Sequence, residues 1–183
     1  MGVAVARAAI AAGHEVTLLL GAGATAEPPE GCRTVRFTSV EDLRQALDEH
    51  FGKCDALVMS AAVGDFRPER RSDGKLARAD GPVTLRLLPT EDLLAALAAK
   101  KRPGQKVIAF AVEAGAPEAA EAKARAEMAA KGADFVVVNA PAAMGSEASE
   151  ACILSVGGVA LPWACRSKEE LASEILRLLT GEE

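Results

Sequence analysis

The sequence predicts a three-layer α/β sandwich around a mostly parallel central sheet, and three observations carry that expectation. Short apolar, β-branched runs alternate with longer segments of helical periodicity. Glycine or a capping residue stands at most of the junctions between them. Half of the 183 residues are apolar but only 3% are aromatic, so the core must be packed from Ala, Val and Leu. The length suits one domain with a sizeable core, residues 1–183.

The elements follow in order. Residues 2–12 form an Ala-rich helix closed by Gly13, and residues 15–20 a strand. A Gly/Pro loop leads to a short strand at 34–37. Thr38 or Ser39 caps a helix over 41–49. The strand at 56–59 runs into Ser60-Ala61-Ala62-Val63-Gly64-Asp65-Phe66-Arg67-Pro68. Residues 83–87 alternate like an exposed strand, and Thr90 caps a helix reaching Lys100. Residues 106–112 are a buried strand, Pro117 opens a long helix ending near Lys131-Gly132, and residues 134–138 form another buried strand. Residues 152–155 and 159–161, joined through Gly157-Gly158, read as a hairpin. Ser167-Lys168-Glu169-Glu170 is a capping box for the last helix.

Several function classes fall away on composition. The net charge is −5, which argues against a nucleic-acid binder. The sequence has no run of about 18 apolar residues and no basic leader at its start, so the expected setting is cytoplasmic with no membrane. Cys32, Cys54, Cys152 and Cys165 are scattered without metal-ligand spacing and read as reduced core thiols. His14 and His50 fall at helix ends or turns, without a Ser or Cys partner. Gly21-Ala22-Gly23-Ala24-Thr25-Ala26 formally fits a dinucleotide fingerprint, but Pro28-Pro29 follow where a helix would have to begin. A short-chain nicotinamide reductase is excluded for its usual mechanism, because the chain contains no tyrosine to serve as acid.

The chemistry concentrates after the strand at 56–59. Small residues at a strand's carboxyl end let a ligand approach the backbone, and Asp65 places a carboxylate at that mouth. The same spacing also suits a plain strand exit with a helix-capping aspartate. The next stretch, residues 70–78, is rich in Arg and includes Gly74 and Lys75. It reads as a mobile cationic loop suited to an anionic ligand.

These motifs, with Phe110-Ala111-Val112-Glu113 and the run from Lys131-Gly132-Ala133 to Asn139, resemble phosphopantothenoylcysteine synthetase. That family is the phosphopantothenate–cysteine ligase of coenzyme A biosynthesis, with a Rossmann-like fold. The resemblance covers essentially the whole chain in the family's order. The family opens with a strand and a loop of the form N-x-S-S-G-x-M-G. Met1-Gly2 resembles its last two letters, so the first strand and the catalytic asparagine that stabilises the acyl nucleotide have no match in this sequence.

The resemblance implies a nucleotide site built from Ala61, Ala62, Asp65, Lys75, Arg78, Thr90, Asp92, Phe110 and Lys131. Asp65 matches the nucleotide-site aspartate and would help place Mg²⁺. Lys75 begins the family's K-x-K-K loop, which closes over the triphosphate; here the motif reads Lys75-Leu76-Ala77-Arg78. Thr90-Glu91-Asp92-Leu93 matches the base-pocket segment N/T-P-D-I, with Glu91 replacing proline. Phe110 matches the aromatic residue beside the base, and it also reads as a core phenylalanine ending a strand. Lys131 matches the second of two helix lysines, Glu127 stands in place of the first, and Lys123 lies one turn earlier. Asn139, a substrate contact by this resemblance, is equally a turn-forming asparagine. Gly145-Ser146-Glu147 resembles the family's G/N-S-D segment and by composition is a flexible loop.

The implied reaction activates the carboxylate of 4'-phosphopantothenate with CTP or ATP and then lets the amine of L-cysteine form the amide. A homodimer is expected, with residues 83–87 and the hairpin after Cys152 as surfaces. The alternative is a non-catalytic, nucleotide-binding or dimerising homologue of the ligase.

Overall fold

The computed structural model describes residues 1–70, 74, 75, 78, 81–143 and 145–181. Most of the cationic segment expected to be mobile, including Leu76 and Ala77, lies outside the described residues.

The order of elements is α1 (Gly2–Ala11), β1 (Thr17–Gly21), β2 (Arg33–Phe37), α2 (Val40–Phe51), β3 (Ala56–Met59), β4 (Phe66–Pro68), β5 (Leu87–Pro89), α3 (Leu93–Ala98), β6 (Lys106–Val112), α4 (Pro117–Lys131), β7 (Phe135–Asn139), β8 (Ala148–Ser155), β9 (Gly158–Ser167) and α5 (Lys168–Thr180). The central sheet runs β3-β6-β7-β8-β9. β3, β6 and β7 are parallel, β8 runs against β7, and the hairpin brings β9 back into the common direction. β1 and β2 form a separate parallel pair. The mostly parallel α/β architecture is therefore as the sequence predicts.

Alternation along the strands makes the three layers. Val107, Ala109 and Ala111 of β6, Val136 and Val138 of β7, and Cys152 and Leu154 of β8 share one cluster with residues of α2, α3 and α4. Their sequence neighbours Ile108, Val137, Ala151 and Ile153 turn to the opposite face, against Val5 of α1 and Leu171, Ala172 and Ile175 of α5. Small residues let α4 lie close to the sheet, since its buried face is Ala120, Ala124 and Met128. Gly132 ends that helix at φ 67°, and a Cβ there would stand 3.3 Å from the Cβ of Ala98 on α3. One glycine thus serves both the left-handed cap and the close approach of two helices.

The caps follow local sequence. Ser39 accepts from the Asp42 N–H and Asp42 answers at the Ser39 N–H; Ser167 and Glu170 form the equivalent box on α5. Gly21 to Ala26 lead from β1 towards β2 with no intervening helix, as the prolines required.

Three expectations are corrected. The strand expected at 83–87 is instead β5, Leu87–Pro89, paired antiparallel with β4. Alternation alone cannot make a strand, and the three-residue partner Phe66–Pro68 offers donors and acceptors only that far, with one further bond from Glu69 N–H to the Arg86 carbonyl. The cap of the third helix is Asp92, whose carboxylate accepts from the Ala95 N–H, and the helix stops at Ala98. Thr90 instead bonds elsewhere. The cysteines are not all core thiols: Cys152 is buried, Cys32 and Cys54 are half-buried, and Cys165 is exposed.

Candidate functional site

A cavity of about 450 Å³ opens where β3 and β6 end. Its floor is the exit of β3, with Met59, Ala61, Ala62, Val63, Gly64 and Asp65. One wall is Thr90 with the start of α3; another is the end of β6 from Ala109 to Glu113; the third is the face of α4 carrying Lys123, Glu127 and Lys131. Ligands of open parallel sheets settle at this place, beyond the carboxyl ends of the strands.

Local chemistry holds the floor. The Thr90 N–H donates to the Asp65 carbonyl at 2.8 Å, and the Thr90 hydroxyl donates to the Gly64 carbonyl. These bonds close the small arm made by β4 and β5, leaving Asp65 exposed at its base. Asp92 caps α3 while its other oxygen stands 3.7 Å from Nζ of Lys131. Across the cavity, Nζ of Lys123 donates to Glu113 at 2.8 Å. That bond, and the charge behind it, raises the ammonium's pKa above its usual value.

Of the residues named from sequence, Ala61, Ala62, Asp65, Thr90, Asp92, Phe110 and Lys131 line this one cavity. Phe110 is half-buried and also packs against the cluster under α1 and α5, so both of its sequence readings are met. Lys75 and Arg78 are exposed and are not among the lining residues. Nor is Asn139: it is buried at the end of β7, where its Oδ1 accepts from the Ser149 hydroxyl and its carbonyl from the Glu113 N–H. Ser146 stays local, accepting from the Ala148 N–H.

The partnership of Glu113 with Lys123 was not foreseen. Glu113 stood in a quoted motif and Lys123 one turn from a family lysine, but their meeting depends on how α4 folds back over β6. The cavity is also more acidic than expected. Asp65, Glu91, Asp92, Glu113 and Glu127 face Lys123 and Lys131. Such a site needs added positive charge before it will hold a polyanion. Among the described residues no group of three or more His, Cys, Asp or Glu is placed to hold a metal ion. Mg²⁺ commonly rests on one or two carboxylates together with substrate phosphates, and the exposed Asp65 at the exit of β3 fits that pattern.

Comparison with known proteins gives this geometry a family. Residues 1–181 match the DNA/pantothenate metabolism flavoprotein C-terminal domain. The coenzyme A biosynthesis bifunctional protein CoaBC of Mycobacterium bovis is 38% identical over 146 residues, covering 76% of this chain and 35% of that protein. A protein from an unknown prokaryotic organism, named cysteine/cysteine sulfinic acid decarboxylase, is 32% identical over 181 residues, covering 97% of this chain and 50% of the other. The chain thus spans half or less of the length of these relatives. The crystal structure of the C-terminal domain of CoaBC superimposes with a TM-score of 0.77 at 26% identity, covering 97% of this chain and 79% of that one. The chain belongs to the DNA/pantothenate metabolism flavoprotein C-terminal domain family and is homologous to the phosphopantothenoylcysteine synthetase domain of CoaBC.

Proposed function

We propose that this domain is a ligase that joins 4'-phosphopantothenate to L-cysteine through an acyl nucleotide made from CTP or ATP. The observation that carries the reading is the convergence of Asp65, Thr90, Asp92, Phe110 and Lys131 on one cavity at the carboxyl edge of the sheet, in a chain of this family.

In the first step the phosphopantothenate carboxylate attacks the α-phosphorus of the nucleotide and pyrophosphate leaves. In the second, the amine of cysteine attacks the acyl carbon, forming the amide and releasing the nucleoside monophosphate and a proton. Neither step needs a covalent nucleophile from the protein; both need charge neutralisation and alignment of two partners. Lys131 supplies a cation to the phosphates, Phe110 an apolar surface to the base, and the small residues Ala61 and Ala62 room for close approach. Lys75 and Arg78, exposed outside the cavity lining, are proposed as further phosphate contacts. Asn139 is proposed as a substrate contact, with Ser149 fixing its side chain. Mg²⁺ held by Asp65 would offset the charge of the triphosphate.

A homodimer is part of this reading. Phe66, Val83, Leu85 and Leu87 are exposed on or beside the β4–β5 arm, Phe66 at 62% and Leu85 at 64%, and a second copy would cover them. A cytoplasmic setting suits the reaction, and among the described residues no helix is long and apolar enough to cross a membrane. The excess of carboxylates in the cavity favours a second reading, a homologue that binds nucleotide or dimerises without catalysis.

Pyrophosphate release separates the two. With CTP or ATP, Mg²⁺ and phosphopantothenate, a ligase releases pyrophosphate, and cysteine is then consumed in step with it. Nucleotide binding without pyrophosphate release would establish the second reading. Neither binding nor release, from a protein that also stays monomeric, would overturn both.

A further inference from the structure

Lys123, Glu127 and Lys131 occupy successive turns on the cavity side of α4. Spacing of four residues places them on one face, with Cβ atoms about 6 Å apart. Lys131 lies beside Asp92, and Lys123 donates to Glu113. The two partners differ sharply in exposure: the Glu113 side chain is 9% exposed and that of Lys123 63%. The carboxylate is therefore fixed at the end of β6, while the ammonium reaches it from the helix on a flexible stem.

We propose that Lys123, held over the cavity by Glu113, is a second cationic contact from α4 to the nucleotide's phosphates, carrying from one turn earlier the charge that Glu127 does not supply. This rests on the nucleotide reading above. An ammonium has three N–H donors and no acceptor. One bond to Glu113 leaves two for phosphate oxygens, so the ion pair aims the group without consuming it. The bond to Glu113 is kept while the other two donors turn towards phosphate, so the carboxylate, only 9% exposed, stays paired. Glu127 stands between the two lysines, where a bare carboxylate would repel a triphosphate. An ammonium on each side offsets that repulsion. An ion pair that merely fastened α4 to β6 would serve equally well away from the cavity, and its loss would lower stability without regard to how many phosphates the ligand carries.

The test is calorimetric titration of CTP and of CMP, with Mg²⁺, into the wild type, Lys123→Met, Lys123→Arg, Glu127→Lys and the double variant Lys123→Met/Glu127→Lys. Circular dichroism checks that each variant is folded. Lys123→Met is expected to weaken CTP about tenfold while changing CMP by less than about twofold, and Lys123→Arg to keep most of the affinity. Glu127→Lys is expected to tighten CTP, and in that background the loss from Lys123→Met is expected to shrink. Folded Lys123→Met that binds CTP as the wild type does would overturn the proposal. So would equal losses for CTP and CMP. A wild type that binds neither nucleotide overturns the nucleotide reading itself, and the proposal with it.

Discussion

Thr90 holds Gly64 from 26 positions away: its hydroxyl donates to the Gly64 carbonyl at 2.5 Å, while its N–H serves Asp65. The cavity floor is thus tied to the segment that enters α3, and Asp65 is set where the two meet. Thr90→Val keeps the shape and removes the hydroxyl. A single neutral hydrogen bond near solvent contributes about 0.5–1.5 kcal/mol, so the expected loss of stability is of that order. The loss in nucleotide affinity should exceed it, because Asp65 and the small-residue floor would no longer be held together. Chemical denaturation and nucleotide titration of the same variant check the comparison; equal losses would mean that Thr90 is only a fold contact.

Lys131→Ala should behave in the opposite proportion. Its partner Asp92 is already engaged as the cap of α3, and both side chains of the pair are about as exposed as other surface ions. Stability should therefore change by less than about 1 kcal/mol. Triphosphate binding should weaken about ten- to a hundredfold if Lys131 reaches a phosphate oxygen. Calorimetry with CTP and ATP reads the second effect, and thermal unfolding the first.

The exposed apolar residues of the β4–β5 arm give a separate expectation about assembly. Phe66, Val83, Leu85 and Leu87 are large apolar side chains, each at least half exposed, on or beside the arm. Leu85→Glu places a charge within it. Sedimentation velocity should show a dimer for the wild type and a shift to monomer for the variant, with the fold retained. A wild type that stays monomeric at all practical concentrations removes the arm as an interface.

The regular elements were legible because local rules and tertiary packing agree there. The strand Lys106–Val112 and the helix Pro117–Lys131 have the bounds that apolar pattern, Pro117 and Gly132 required. Legibility failed where two local signals competed. Thr90 and Asp92 are both acceptable caps, and the choice fell to Asp92 because Thr90 was claimed by the Gly64 carbonyl. Residues 83–87 carried a strand's alternation, but pairing is set by what the partner strand can reach. At the site, the family resemblance, carried over position by position, named Ala61, Asp65, Thr90, Phe110 and Lys131, which line one cavity, and Lys75, Arg78 and Asn139, which do not. The Glu113–Lys123 pair is a meeting of β6 with α4 that no spacing within the sequence encodes.

Acid should loosen α2 through two depressed carboxylates, Asp42 at the cap and Glu41 beside Arg44. Asp42 accepts from the Thr38 N–H, the Thr38 hydroxyl and the Ser39 N–H, and these bonds lower its pKa from 3.8 to about 2. A carboxylate depressed in the folded state stabilises that state fully above its ordinary pKa and loses the contribution as pH falls through the folded value. The window is therefore from about pH 4 down to about pH 2. Asp42→Asn should flatten the acid dependence of stability in that window and leave the neutral-pH slope unchanged. Urea denaturation at stepped pH reads both slopes. An unchanged acid limb in the variant would mean that other carboxylates set it, with Glu41, lowered from 4.5 to about 2 by its bonds from Arg44 and Gln45, the next to replace.

The cysteines should separate by reactivity as they do by position. Cys152 lies fully buried in β8, and burial, with the Glu121 carboxylate adding to it, pushes its thiol up to about 12. The thiolate is the nucleophile, so at pH 8 only about one molecule in ten thousand would carry it even if the reagent could reach the sulfur. Cys165 on β9 is exposed. Cys32 and Cys54 are half-buried, with their thiols directed at the carbonyls of Val16 and Phe51. A charged thiol reagent followed by mass spectrometry should label Cys165 first and Cys152 last. Cys152 labelling should track global unfolding, because β8 pairs on both sides within the sheet and opens only with its neighbours. Cys165→Ser should delete the fast phase and leave the slow one unchanged. Labelling of Cys152 as fast as Cys165 in native buffer would mean that β8 leaves the sheet without global unfolding, which its place between β7 and β9 does not permit.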